Sequence, residues 1–192
     1  MATEESDALR RAVARHSPPE VVSEEGLQLA AVALIFTPGP EGLELCMIRR
    51  SDHPDDPWSG HMAFPGGRRD AEDNTSLHTA MRETLEEIGV ALEYEDCLGG
   101  LSPLRVPYRV SGAAMVIEPF VFCLQEPLKW TSNEEVAGVY FFNLDGLRQE
   151  RGRGLFEFSH KGESMQLDCI EQQGCRIWGL SLRILDELLQ RL

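Results

Sequence analysis

The chain has 192 residues, 42% hydrophobic and 26% charged, a composition that suits one globular domain and excludes collagen-like, coiled-coil and wholly disordered classes. Its 32 acidic and 18 basic side chains give a net charge of -14, the wrong sign for a protein that coats a nucleic-acid polymer or an anionic membrane. Cys46, Cys97, Cys123, Cys169 and Cys175 include no CxxC pair, so reduced thiols in a cytoplasm are expected rather than a disulfide framework or a zinc cage.

Residues 8–16 are predicted to be helical with an Arg-rich face, and Ser17-Pro18-Pro19 ends that helix before an acidic linker through Gly26. Residues 1–26 thus read as an N-terminal addition, and 27–192 as the domain proper. Residues 27–37 and 43–51 are apolar runs of strand type, joined by the turn residues Pro38-Gly39-Pro40-Glu41-Gly42. Pro54 and Pro57 lack amide donors, so 52–60 is a loop. Met62-Ala63-Phe64 reads as a short strand and Pro65-Gly66-Gly67 as a tight turn. Residues 75–88 read as a helix begun by Asp73 or Asn74 and stopped by Gly89.

Residues 114–124 are strand-like, and Pro119 among them points to a sheet edge or a bulge. A strand over 138–144 ends at Asp145-Gly146, and the stretch to Ile177 reads as short strands and loop. Residues 179–192 form a closing amphipathic helix with Leu180, Ile184, Leu185, Leu188 and Leu189 on one side. No apolar stretch approaches the ~20 residues of a membrane span, and the acidic start is unlike a secretory signal.

The chemistry concentrates on the helix over 75–88. At about 100° per residue, Glu83, Glu86 and Glu87 project within roughly 100° of one another, with Leu77, Met81, Leu85 and Ile88 on the opposite, core-facing side. At ~6 Å and an effective dielectric of ~20, each like-charge pair costs roughly 3 kcal/mol. Magnesium or manganese relieves such crowding, because a hard divalent ion takes carboxylate oxygens and bridges to phosphates. Three glutamates in isolation would read as a solvated helix face. The strand, double glycine and capped helix start before them instead pin the helix against a sheet, and Arg82 is placed to orient a carboxylate.

Gly67 and the run Arg82-Glu83-Thr84-Leu85-Glu86-Glu87-Ile88-Gly89-Val90 resemble the signature of the Nudix hydrolases: Gly, five residues, Glu, seven residues, then Arg-Glu-aliphatic-x-Glu-Glu-x-Gly-aliphatic. Thr84 replaces an aliphatic residue, Asp73 stands for the first Glu, and the interval from there to Arg82 is one residue longer. A lengthened box with Asp is similar to that of the coenzyme A diphosphatase-like branch. So are Arg50-Ser51, Gly60-His61-Met62-Ala63-Phe64-Pro65-Gly66-Gly67 and Ile177-Trp178-Gly179-Leu180-Ser181-Leu182-Arg183-Ile184-Leu185. The middle Arg of that branch's upstream motif falls on Asp55, and the spacing to Gly60 is one too long.

The resemblance implies an α/β/α sandwich around a mixed β-sheet with a C-terminal helix. It also implies metal-dependent hydrolysis of a diphosphate linked to another moiety X, with coenzyme A or its derivatives leading. Other nucleotides remain open, such as ADP-ribose, a dinucleotide or an oxidised nucleoside triphosphate; so does a catalytically silent nucleotide-binding module. Mg2+ or Mn2+ would be held by Glu83, Glu86 and Glu87 with the backbone of Gly66 or Gly67. Asp73 serves as a ligand or only as a helix cap. The general base would be a box glutamate or Glu135, with Glu134 as the alternate register. Arg49, Arg50, Arg105 and Arg109 are candidates for the substrate's phosphates, and Tyr108 for stacking on a base. In the loop before the box, packing is expected of Trp58 and a turn-stabilising hydrogen bond of His61; Trp130 and Trp178 read as core or interface. The expected partner is a small-molecule nucleotide, and the apolar strands are compatible with a homodimer.

Overall fold

The computed structural model describes residues 2–15, 26–53, 58–106, 114–160 and 163–192. Asp55, Tyr108, Arg109 and the linker over 16–25 lie outside the described residues.

A mixed eight-stranded sheet forms the centre. Strands β1 (Gln28–Gly39) and β2 (Gly42–Arg50) make an antiparallel hairpin that closes at the Gly39 and Gly42 pair. On its other side β1 runs parallel to β7 (Met115–Cys123), the one parallel pairing among the described strands. Beyond β7 lie β5 (Cys97–Gly100) and β6 (Leu104–Val106), and β8 (Val136–Asn143) pairs with β2. The short strands β3 (Met62–Ala63) and β4 (Gly66–Arg68) enter where β1 and β2 diverge, β3 on β2 and β4 on β1.

Strict alternation along β1 divides the core. Ala30, Leu34 and Phe36 face one layer, and Ala31, Ala33 and Ile35 face the other. Both faces are buried, which explains why this run reads as continuously apolar. Helix α2 (Ser76–Ile88) covers the second face through Ala80 and Ile88. The first face is covered by α1 (Ala2–Ala14), through Leu9 and Val13, and by the C-terminal α4 (Gly179–Leu189), through Leu182, Ile184, Leu185 and Leu188. The outcome is the expected helix, mixed sheet, helix sandwich.

Several elements depart from their predicted form. Helix α1 begins at Ala2 rather than Ala8, with Glu4 and Glu5 in its first turn, where negative charge suits the N-terminal dipole. Glu5 also accepts a hydrogen bond from the Leu43 N–H at 2.7 Å, which ties α1 to the hairpin. Pro119 sits inside the sheet, not at an edge. Its carbonyl accepts from the Leu101 N–H, so its donor-less nitrogen faces the interval between β5 and β6, where no ladder bond is required.

Pro65-Gly66-Gly67 does not make a tight turn; its glycines belong to β4, pressed against Ala31 and Val32. After β8 comes a five-residue helix, α3 (Leu144–Arg148), capped by the Asn143 side chain. Where short strands and loop were expected, β9 (Arg153–His160), β10 (Glu163–Gln172) and β11 (Cys175–Trp178) form a separate antiparallel sheet. Its alternation is blurred by apolar residues on the solvent side, Leu155 at 65% and Met165 at 46% exposure. Trp130 is 43% exposed and is no core residue. All five cysteines are free thiols, and among the described residues no helix is long and apolar enough to cross a membrane.

Candidate active site

Helix α2 starts one position later than expected. Its N-cap is Thr75, whose hydroxyl accepts from the His78 N–H at 3.1 Å, and Gly89 closes it with an N–H donated to the Leu85 carbonyl. The Ser76 hydroxyl donates to the Glu118 carboxylate on β7, fixing the start of the helix over the sheet. Thr84 is fully buried at the position where the signature has an aliphatic residue, its hydroxyl satisfied by the Ala80 carbonyl at 2.7 Å. Leu85, predicted to face the core, is 51% exposed. With Thr84, Ile88 and Ala80 turned inward, the next position along the helix must rotate outward.

The three glutamates do not share one environment. Glu87 is 3% exposed and its Oε2 accepts from the Gly66 N–H at 2.9 Å; Glu83 is half-buried; Glu86 lies outward. Burial pushes the Glu87 carboxyl up to about 8, with Glu83 and Glu135 adding repulsion, while the Gly66 N–H and Arg50 oppose the shift. The Glu83 carboxyl is raised as well, first by burial and then by Glu86 and Glu135, against the pull of Arg82.

The double glycine makes this approach possible. A Cβ on Gly66, at φ 149°, would overlap the Ala31 carbonyl of β1, and a Cβ on Gly67 would overlap the Glu83 carboxylate. Gly66→Ala is therefore expected to destabilise the fold by about 1–3 kcal/mol, measured by urea denaturation, because the obstacle is backbone and cannot rotate away.

Asp73 is neither the helix cap nor a member of the glutamate group. It is 4% exposed and takes Arg82 in a two-pronged pair, Nε to Oδ1 at 3.1 Å and Nη2 to Oδ2 at 2.9 Å. The Asp70 N–H and the Thr79 hydroxyl donate to the same carboxylate. The Arg82 pair holds the Asp73 carboxyl far below the usual carboxylate range, although burial opposes it. From this anchor Arg82 reaches Glu83 Oε1 at 3.0 Å, Glu86 Oε2 at 3.0 Å and the Arg68 carbonyl at 3.2 Å.

Glu135 reaches the same site from a remote segment. The Thr131 N–H binds the Ile88 carbonyl and the Asn133 N–H binds the Glu87 carbonyl, each at 2.9 Å, so this segment caps the C-terminus of α2. The Ser51 N–H then binds the Glu135 carbonyl at 2.8 Å, leaving that carboxylate within the field of Glu83 and Glu87.

A family model for the NUDIX domain matches residues 26–160 of the chain. The chain belongs to the Nudix hydrolase family. An uncharacterized Nudix hydrolase NudL of Yersinia enterocolitica is 34% identical over 167 residues, covering 84% of this chain and 80% of its own. One from Yersinia pestis is 30% identical over 162 residues, covering 83% and 76%. Among solved structures, a MutT/nudix family protein from Enterococcus faecalis matches with a TM-score of 0.54 and 20% identity, over all of this chain and 79% of that one. A bifunctional NMN adenylyltransferase/ADP ribose pyrophosphatase from Francisella tularensis matches with a TM-score of 0.59 and 15% identity, over 88% of this chain and 42% of that one. These two structural likenesses speak to the fold.

In this Nudix hydrolase the box residues Arg82, Glu83 and Glu87 thus meet Gly66, Gly67, Arg50 and Glu135 at one place. Arg49, expected beside Arg50, faces the other way: a register irregularity separates the pair, and Arg49 lies 6.0 Å over the Tyr140 ring. Arg105 sits on β6 opposite Val116; its neighbours Leu104 and Val106 face the α1 layer, so alternation turns it toward the α2 face. The Trp58 carbonyl accepts from the His61 N–H, as a turn requires, but the His61 ring packs on Trp178. The anchoring role of Asp73 was missed; its spacing before Arg82 was the only available signal.

The fit of a divalent cation rests on donor chemistry. Glu83, Glu87 and Glu135 crowd one another, burial and mutual repulsion raise the first two, and Gly67 lacks the Cβ that would displace Glu83. Among the described residues no three His, Cys, Asp or Glu side chains are already grouped as a cage. Glu83 and Glu86 are each held by Arg82. The set fits a hard ion that takes carboxylate oxygens.

Proposed function

We propose that this Nudix hydrolase cleaves the diphosphate linkage of coenzyme A or its derivatives, releasing 3',5'-ADP and phosphopantetheine. The observation that carries the reading is the convergence of Glu83, Glu87 and Glu135 on the Gly66-Gly67 strand with Arg50 facing Glu87. The choice of coenzyme A rests on the lengthened box with Asp73 and on Arg50-Ser51 and Phe64-Pro65-Gly66-Gly67 upstream. A cytoplasmic setting agrees with the free thiols.

Glu83, Glu86 and Glu87, with the Gly67 carbonyl, would hold Mg2+ or Mn2+, which when bound neutralises diphosphate oxygens and acidifies water. Arg50 offers a guanidinium to the substrate's phosphate on the buried side of the site. Glu135 would take a proton at its carboxylate from the attacking water, a role supported by its position off the helix and within the field of Glu83 and Glu87. Arg82 holds the carboxylates of Glu83 and Glu86, each at 3.0 Å.

Asp55, standing where the branch's upstream motif has Arg, favours a second reading in which the substrate is ADP-ribose, a dinucleotide or an oxidised nucleoside triphosphate. Retention of all three box glutamates and Arg82 argues against a silent module. Product analysis in oxygen-18 water with added magnesium, across these substrates, tests both. Coenzyme A is expected to turn over fastest, with the heavy oxygen in one identified product. If ADP-ribose outruns it, the second reading takes its place.

A further inference from the structure

On the side of the sheet away from α2, a cavity of about 720 Å3 opens between Arg49, the Gly60-His61 corner and one face of the β9 to β11 sheet. That size lies within the range of small-molecule pockets. Trp178 forms its wall, with ring centroids of His61 at 4.7 Å, Phe158 at 4.9 Å and Phe156 at 5.2 Å. The Arg176 guanidinium lies 4.3 Å over Phe156 and pairs with Glu171 at 2.6 Å. Arg49 makes no ion pair among the described residues.

We propose that this recess receives the nucleoside end of the substrate, a planar heteroaromatic base against Trp178 and Phe158 and that nucleoside's anionic substituent on Arg49. The proposal rests on the diphosphatase reading and deepens it. Three observations support it. The recess and the carboxylate site meet at one strand end: consecutive residues Arg49 and Arg50 face opposite sides of β2, the first toward the rings and the second toward Glu87. A diphosphate held at Arg50 therefore leaves one end of the molecule free to round the corner at Gly60 and His61.

That corner is firmly built. The Arg50 N–H binds the His61 carbonyl and the Gly60 N–H binds the Arg50 carbonyl, both at 3.1 Å. Finally, the lining combines aromatic rings with Arg49 and with Arg176, whose charge Glu171 offsets, in a chain of net charge -14. Rings alone would suit an aliphatic chain, but covering the Arg49 guanidinium with one would be costly. A cationic ligand is repelled by Arg49. A base bearing phosphate satisfies rings and charge together.

The test titrates the intact protein, in chelator, with adenosine 3',5'-bisphosphate, following tryptophan fluorescence. Saturable quenching is expected, abolished in Trp178→Phe and retained in Trp130→Phe. Arg49→Gln, at an exposed position, and Phe158→Leu are each expected to weaken the binding at least tenfold, and to raise KM for coenzyme A with little change in kcat. Quenching unaltered in both variants, or quenching by pantetheine in place of the bisphosphate, overturns the assignment. Quenching that behaves as expected in a protein that hydrolyses no diphosphate would retain the recess and remove the diphosphatase reading. Hydrolysis with KM unchanged in Arg49→Gln would do the reverse.

Discussion

Replacing Glu87 by Gln should lower turnover roughly 10³-fold or more and, in the same protein, raise the thermal midpoint of the metal-free state at alkaline pH. Both effects come from one buried carboxyl. Its affinity for a proton is raised to about 8 in the folded chain, chiefly by burial, against about 4.3 in an unfolded one. A group raised in this sense contributes its stability fully below the unfolded value and loses it as pH rises through the folded value. At pH 9 the ionised carboxylate costs the metal-free fold on the order of a few kcal/mol.

Gln keeps the acceptor for the Gly66 N–H and removes the charge. Its unfolding midpoint should therefore decline less than the parent's between pH 6 and pH 9 when both are melted in chelator. Added magnesium should raise the parent's midpoint and leave the variant's nearly unchanged. A variant that is inactive but no more stable at pH 9 would show that solvent reaches Glu87 despite its burial.

The second large effect is expected at Asp73. Its carboxylate, itself buried, satisfies Arg82 twice and also takes donors from Asp70 and Thr79. Asp73→Ala leaves a largely buried guanidinium without its main partner and should cost about 3 kcal/mol, read from urea denaturation. Activity should fall with it, because Arg82 carries the orientation of Glu83 and Glu86. Asp73→Asn preserves the shape and loses the charge, so it should fold more stably than the alanine variant yet remain impaired in turnover. Since the Asp73 carboxyl is held below its usual range, the stability it supplies is present above about pH 3.9 and is lost only as pH falls further. Wild-type turnover in Asp73→Asn would mean that Arg82 needs no anchor.

Much of the catalytic helix was legible in its residues because its determinants are local. The spacing of Arg82, Glu83, Glu86 and Glu87 and the stop at Gly89 depend on chain geometry within a few turns. The same locality misled for Leu85, since one apolar residue among glutamates can belong to either side of the helix until the sheet beneath it is known. Asp73 shows the opposite case: its short-range neighbour Thr75 makes the cap, and its own partner Arg82 lies two turns into the helix.

By itself the sequence determined the family, the apolar strand β1 and the carboxylate-bearing helix, through a continuous apolar run, a helical period and a signature whose chemistry is carried by adjacent residues. Only the tertiary structure decided which glutamate is buried, that Glu135 joins Glu83 and Glu87, and that Arg49 and Arg50 serve opposite faces. Those outcomes depend on hydrogen bonds and repulsions between segments far apart in the chain: the Thr131 and Asn133 amides on the end of α2, Gly66 on Glu87, and β3 and β4 entering between diverging strands. A charge's environment is set by what packs around it in space, and linear spacing carries no record of that.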